Sequence, residues 1–92
     1  MPELYRTEDN PKGRSELPQY EIRCGAIYRT VTHDEGYIKE AQYEIREGNI
    51  YRALNHVDGY NALPQYEIKG YMVFRAATHV EGYLEAAQYI IR

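Results

Sequence analysis

Four arginines, Arg6, Arg29, Arg52 and Arg75, stand at a fixed interval of 23 residues, and His33, His56, His79 and Tyr20, Tyr43, Tyr66, Tyr89 keep the same interval. These residue types suit the recognition of small anions. A guanidinium offers planar forked donors to phosphate or carboxylate, and a tyrosine face stacks on a base or a sugar. A fold that brings the eleven to one level would make a mouth for a small anionic ligand, nucleotide-like or phosphorylated, ahead of sugars. The bland alternative is that each arginine lies over a neighbouring tyrosine and pairs with a nearby carboxylate, because a residue found in every repeat is most economically explained by a need of every repeat interface.

Other chemistry has less behind it. Three convergent imidazoles can hold zinc, but these lie on separate segments, Asn10 takes the fourth position and no cysteine pair supports them. No metal and no cofactor are expected. Ser15 is the only serine, Cys24 occupies a place that Glu47 and Gly70 fill in the other repeats, and no carboxylate pair is singled out as acid and base. The expectation is therefore a protein that is not an enzyme.

Gln19, Gln42, Gln65 and Gln88 mark the frame, each opening a Gln-Tyr-x-Ile segment. Tyr20-Glu21-Ile22-Arg23 and Ala26-Ile27-Tyr28-Arg29 flank Cys24-Gly25, and the pattern returns around Glu47-Gly48 and Gly70-Tyr71. An x-Gly or Gly-x pair between alternating segments signals a two-residue hairpin, since the turn needs positive φ. Such turns set Ile22 opposite Ile27, Tyr20 opposite Arg29 and Glu21 opposite Tyr28. One face then carries Tyr20, Ile22, Ile27, Arg29, Val31 and, if the strand continues unbulged, His33; the other carries Glu21, Arg23, Tyr28, Thr30 and Thr32. The first is the expected core face. Each hairpin is followed by a His-x-Asp/Glu-Gly-Tyr connection with turn chemistry, and Tyr83 to Gln88 can form one helical turn.

The chain starts in mid-repeat, with Leu4-Tyr5-Arg6-Thr7 matching Ile27-Tyr28-Arg29-Thr30, and stops at Gln88-Tyr89-Ile90-Ile91-Arg92, which matches a repeat's first segment. Each repeat is a unit that cannot bury its apolar face alone. The reading is one all-β domain over 1–92: a part-repeat at 1–18, repeats at 19–41, 42–64 and 65–87, and a closing strand at 88–92. Pairing of the first and last strands would remove two bare sheet edges. We therefore expect a closed, fourfold pseudo-symmetric, eight-strand antiparallel arrangement, either a barrel or a miniature propeller-like toroid. An open solenoid, the alternative, would leave half-hairpins at both ends and favour dimers or swapped assemblies. The YEIR segments at 20–23 and 43–46, YEIK at 66–69 and IYRT at 27–30 resemble a group of small tandem-repeat proteins built from YEIR and IYRT units. The resemblance spans nearly the whole chain and implies a repeat domain, but no activity. Such repeats often carry Pro after the histidine, where this chain has Asp34, Val57 and Val80.

At 92 residues, the domain can bury roughly two thirds of the surface its unfolded chain exposes. Eleven Tyr with one Phe and no Trp give a core of rings with polar tips. One cysteine excludes an internal disulfide, and no leader-like or spanning apolar stretch is present, which reads as cytoplasmic with no membrane partner. A net charge of −3 argues against general nucleic-acid binding. Tyr5, Tyr28, Tyr51 and Phe74 fall on the outward face, the composition of a protein-contact surface. The function expected first is thus a binding or scaffold module working through protein contacts or self-association, with the anionic-ligand mouth as the alternative.

Overall fold

Aromatic and β-branched residues alternating with charged ones give eight short strands in the computed structural model, which describes residues 1–92. They are β1 (Glu3–Arg6), β2 (Tyr20–Arg23), β3 (Ala26–Arg29), β4 (Tyr43–Arg46), β5 (Asn49–Arg52), β6 (Tyr66–Lys69), β7 (Met72–Arg75) and β8 (Tyr89–Ile91). All pair antiparallel in sequence order and the sheet closes through β1 and β8 into a barrel. This decides between barrel and toroid. Inter-repeat pairs such as Ile27↔Tyr43 and Ile50↔Tyr66 make the sheet continuous. No helix is long and apolar enough to cross a membrane.

Within each hairpin the register is the expected one: Tyr20↔Arg29, Glu21↔Tyr28 and Ile22↔Ile27 in the first. Cys24 and Gly25 both have positive φ, as do Glu47 and Gly48, whereas in the third turn Gly70 has positive φ and Tyr71 does not. Those are the patterns of I′ and II′ turns, whose twist matches the flanking strands. At the fourth corner Glu3 and Arg92 exchange backbone hydrogen bonds of 2.7 and 2.9 Å.

An eight-strand barrel has an interior just wide enough to be filled by side chains. Here Leu4, Ile27, Ile50 and Val73 fill its centre, with Ile22, Ile45, Ile68 and Ile91 and the four tyrosines Tyr20, Tyr43, Tyr66 and Tyr89 packed against them. A small apolar void of about 10 Å³ is lined by the four central residues and the four tyrosines.

Three expectations need correction. Strand β3 ends at Arg29, so Val31 does not continue the core face and is 81% exposed. Two successive turns replace the strand, with the His33 amide donating to Thr30 and the Gly36 amide to His33. Gly36, at φ +95, takes a backbone conformation that a Cβ disfavours. Thr30, assigned to the outer face, is buried, and its hydroxyl donates to the Pro18 carbonyl at 2.5 Å. Finally, Tyr83 to Gln88 forms no helical turn, because the Gln88 amide donates to Val73 on the adjacent strand β7 and the Gln88 side chain donates to Ala86.

Candidate functional site

The four long connections meet at one end of the barrel around a polar recess of about 380 Å³. All eleven residues singled out by type and spacing line it: Arg6, Arg29, Arg52 and Arg75; His33, His56 and His79; Tyr20, Tyr43, Tyr66 and Tyr89. Its floor is a square of tyrosines in edge-to-face contact, with neighbouring centroids 5.9–6.0 Å apart. This is the favourable arrangement of aromatic quadrupoles. Burial raises the pKa of all four hydroxyls, which stay protonated. A neutral hydroxyl can both donate and accept.

Each histidine stands edge-on to the tyrosine of its own repeat, with centroids 4.9–5.0 Å apart. The turn that carries it sends a backbone N–H back to its Nδ1 at 3.0 Å, from Glu35, Asp58 and Glu81 in turn. An imidazole accepting at Nδ1 carries its proton on Nε2. No protein group accepts from these three Nε2–H groups, so each is available to a guest.

The same connection closes on itself through arginine. Arg29 donates to the Gly36 carbonyl at 3.3 Å and meets the Glu35 carboxylate at 3.5 Å; Arg75 repeats this with Gly82 at 3.3 Å and Glu81 at 3.4 Å. Arg52 makes only a 3.4 Å bond to the Asp58 carbonyl. Arg6 lies in the part-repeat, where Lys12 replaces the acid; its Nε keeps the bond to its own loop, donating to the Gly13 carbonyl at 2.9 Å, while Nη1 reaches Asp34 at 2.9 Å and Gln19 at 3.1 Å. The arginines thus mainly brace their own loops; only Arg6 bridges repeats. The cation–π role expected of them belongs to other residues: Arg23, Arg46, Lys69 and Arg92 lie over Tyr28, Tyr51, Phe74 and Tyr5. Those four outward aromatics are consequently half-buried under cations.

Spacing alone gave no role to the glutamines that mark the frame. Gln42 is 1% exposed, donates to Glu40 and Asn55, and accepts from the Val57 amide at 3.1 Å. It ties the loop to the barrel. Gln19 and Gln65 accept equivalently from Asp34 and Val80. At Gln88 the matching residue is Pro11, which has no N–H, and the Gln88 Oε1 is buried with no partner. Asn10 fills the fourth histidine's place and donates to the Gln88 carbonyl at 3.1 Å. At the glutamine and histidine positions the fourfold pattern therefore departs in the part-repeat quadrant.

Burial, then the adjacent guanidinium, lowers the histidine pKa values: His56 to about 4 with Arg52 beside it, His79 to about 4 with Arg75, and His33 in the same direction with Arg29. The unfolded chain titrates near 6.5. It binds more protons than the fold between about pH 6.5 and 4, so stability is full above that window and falls as the pH drops through it. Each histidine contributes at most about 1.4 kcal/mol per pH unit, less at half-buried His56 where solvent screens the charge. Thermal melts from pH 7.5 to 4 should show this decline. The variant His56→Gln/His79→Gln should show a shallower one, and an unchanged slope would remove the histidines as its cause.

His33, Asp34 and Glu35 are the one group with metal-ligand atoms within reach of one another. Its His33 Nδ1 already accepts the Glu35 amide and Asp34 is held by Arg6. No family model, curated protein or solved structure matches this chain. Its chemistry has to be read from the geometry of the mouth.

Proposed function

We propose that this protein is a non-enzymatic binding module that holds a small polar ligand in the barrel mouth. One observation carries the reading: three histidines, fixed by backbone N–H groups as Nε2–H donors with no acceptor in the protein, line a single recess with the four arginines. A recess of about 380 Å³ is of a size for small-molecule sites, which run from roughly 300 to 1,000 Å³. The mouth's cations and carboxylates nearly balance, which favours directed hydrogen bonding over bulk attraction. The outward aromatics, the first candidates for protein contact, are weakened in that role by the cations stacked on them.

A protein partner or self-association remains the second reading, favoured by a different belt. Tyr37, Tyr60 and Tyr83 project from the three full connections and each is more than half exposed. The exposed free thiol of Cys24 suits a reducing, cytoplasmic setting. Net negative charge gives no support to general nucleic-acid binding.

Thermal shift with nucleotides, phosphosugars and neutral sugars at low salt, beside light scattering, tests the choice. A ligand at a hundred times its Kd should raise stability by about 2.7 kcal/mol. If no small molecule shifts the melt while the protein self-associates or captures a partner through the Tyr37 belt, the mouth is not the functional site.

A further inference from the structure

The four quadrants of the mouth are not equivalent in charge. Glu35 and Glu81 reach the guanidiniums of Arg29 and Arg75 at 3.5 and 3.4 Å, and Asp34 reaches Arg6 at 2.9 Å. The residue matching Glu35 and Glu81 in the second quadrant is Asp58, one methylene shorter. It makes no ion pair with Arg52, whose only side-chain hydrogen bond goes to the Asp58 carbonyl. The Nε atoms of Arg29 and Arg75 are buried and unpartnered, whereas half-exposed Arg52 keeps its remaining donors reachable. A guanidinium has five donors, and Arg52 uses one. Beside it stands His56, with its Nδ1 occupied by the Asp58 amide and its Nε2–H without an acceptor.

Resting on the mouth as the binding site, we propose that it takes a ligand bearing an oxyanion, a phosphate group above all, and that the Arg52–His56 quadrant is where the oxyanion sits. A tetrahedral oxyanion satisfies a fork and a nearby single donor together, because its unprotonated oxygens accept hydrogen bonds and diverge. A neutral imidazole contributes here as a directed donor, so recognition does not need the histidine to be charged. Asp58 then acts as a specificity residue by its shortness: it frees the fork that glutamate occupies in the neighbouring quadrants. Its carboxylate opposes an incoming anion, so shape and direction rather than net charge must do the selecting.

The length of residue 58 gives a direct test. Asp58→Glu should reproduce the ion pair already present at Glu35 and Glu81, leave the melting temperature equal or higher, and fill the fork. Titration calorimetry at low salt with inorganic phosphate, ribose 5-phosphate and ribose would be run on the parent, Asp58→Glu, Arg52→Gln and Asp58→Asn. Both phosphates are expected to bind the parent, with Asp58→Glu and Arg52→Gln each weakening them by about tenfold, the loss of one charge-assisted contact. Asp58→Asn, which removes the opposing charge without filling the fork, should bind as well as the parent or better. Tighter binding of the sugar phosphate than of inorganic phosphate would identify an organic phosphate as the ligand, and the reverse a free anion. Parent-like affinity in both Asp58→Glu and Arg52→Gln would overturn the assignment to this quadrant while leaving the mouth as a site. Binding of ribose without either phosphate would overturn the oxyanion and keep the mouth. No binding of any probe would remove both.

Discussion

Deleting residues 88–92 should abolish the folded monomer. Strand β8 pairs with β1 over three residues and with β7 over two, so its loss opens the barrel on both sides. Backbone bonds from Gln88 to Val73, Thr7 to Gln88, Ile91 to Tyr71 and Arg92 to Glu3 disappear, each worth about 0.5–1.5 kcal/mol net. Tyr89 completes the tyrosine square and Ile91 packs on the central residues, and burying such side chains contributes roughly 1.5–3 kcal/mol each. The total is on the order of the 5–15 kcal/mol that holds a whole small domain together. Circular dichroism with light scattering should find an unfolded chain, or an assembly in which another copy supplies the missing strand. A circular permutant joining Arg92 to Met1 and opened at Glu47-Gly48 is the control. It keeps every strand pair and should melt within a few degrees of the parent. A truncated monomer as stable as the parent would mean that closure adds nothing.

The hairpins were legible because two physical rules agree: a positive-φ pair fixes the turn, and period-2 alternation then fixes which side chains face each other. Tyr20↔Arg29 and Ile22↔Ile27 follow without further information. The step between hairpins did not follow. Ile27↔Tyr43 pairing, which separates a barrel from a ring of blades, depends on how a 13-residue connection returns, and no short-range rule sets that. Val31 shows the limit plainly. Alternation extends the strand through it, but the glycine at 36 and the paired turns on Thr30 and His33 end the strand at Arg29. The histidine reaches the mouth all the same, by a different route.

The site residues were legible as a set because one period carries them, and a closed fold must bring equivalent positions to one height. Their roles were less so. Gln is usually a surface residue, so its use as a buried three-way tie between loop and barrel is visible only once Gln42 is seen to reach Glu40, Asn55 and Val57. The difference between Asp58 and Glu81 is written in the sequence, yet it acquires meaning only when Arg75 is found paired and Arg52 is not. Arg29, Arg52 and Arg75, expected to join repeats, instead brace loops, because the carbonyls nearest their guanidiniums belong to the turn that follows each in the chain; Arg6 alone also reaches a carboxylate of another repeat.

Ile50→Ala is expected to destabilise the protein by about 2–5 kcal/mol, the usual cost of a large-to-small change in a core. Ile50 is 1% exposed and shares the barrel centre with Leu4, Ile27 and Val73. Those neighbours stand on strands held by ladder bonds on both sides, so they have little freedom to move inward and fill the space, and the cavity term is retained nearly in full. Ile45, paired with Ile50 across the hairpin, is only half-buried toward the turn end, and Ile45→Ala should cost clearly less. Ile50→Val removes one methyl and should cost about 0.5–1.5 kcal/mol. Urea unfolding of the three variants would give this order, with the slope on denaturant unchanged because the same surface is exposed. If Ile45→Ala proved the costlier of the two alanine changes, the centre of the core would lie nearer the hairpin turns. The tyrosine floor of the mouth would then rest on a looser layer than the one that positions it here.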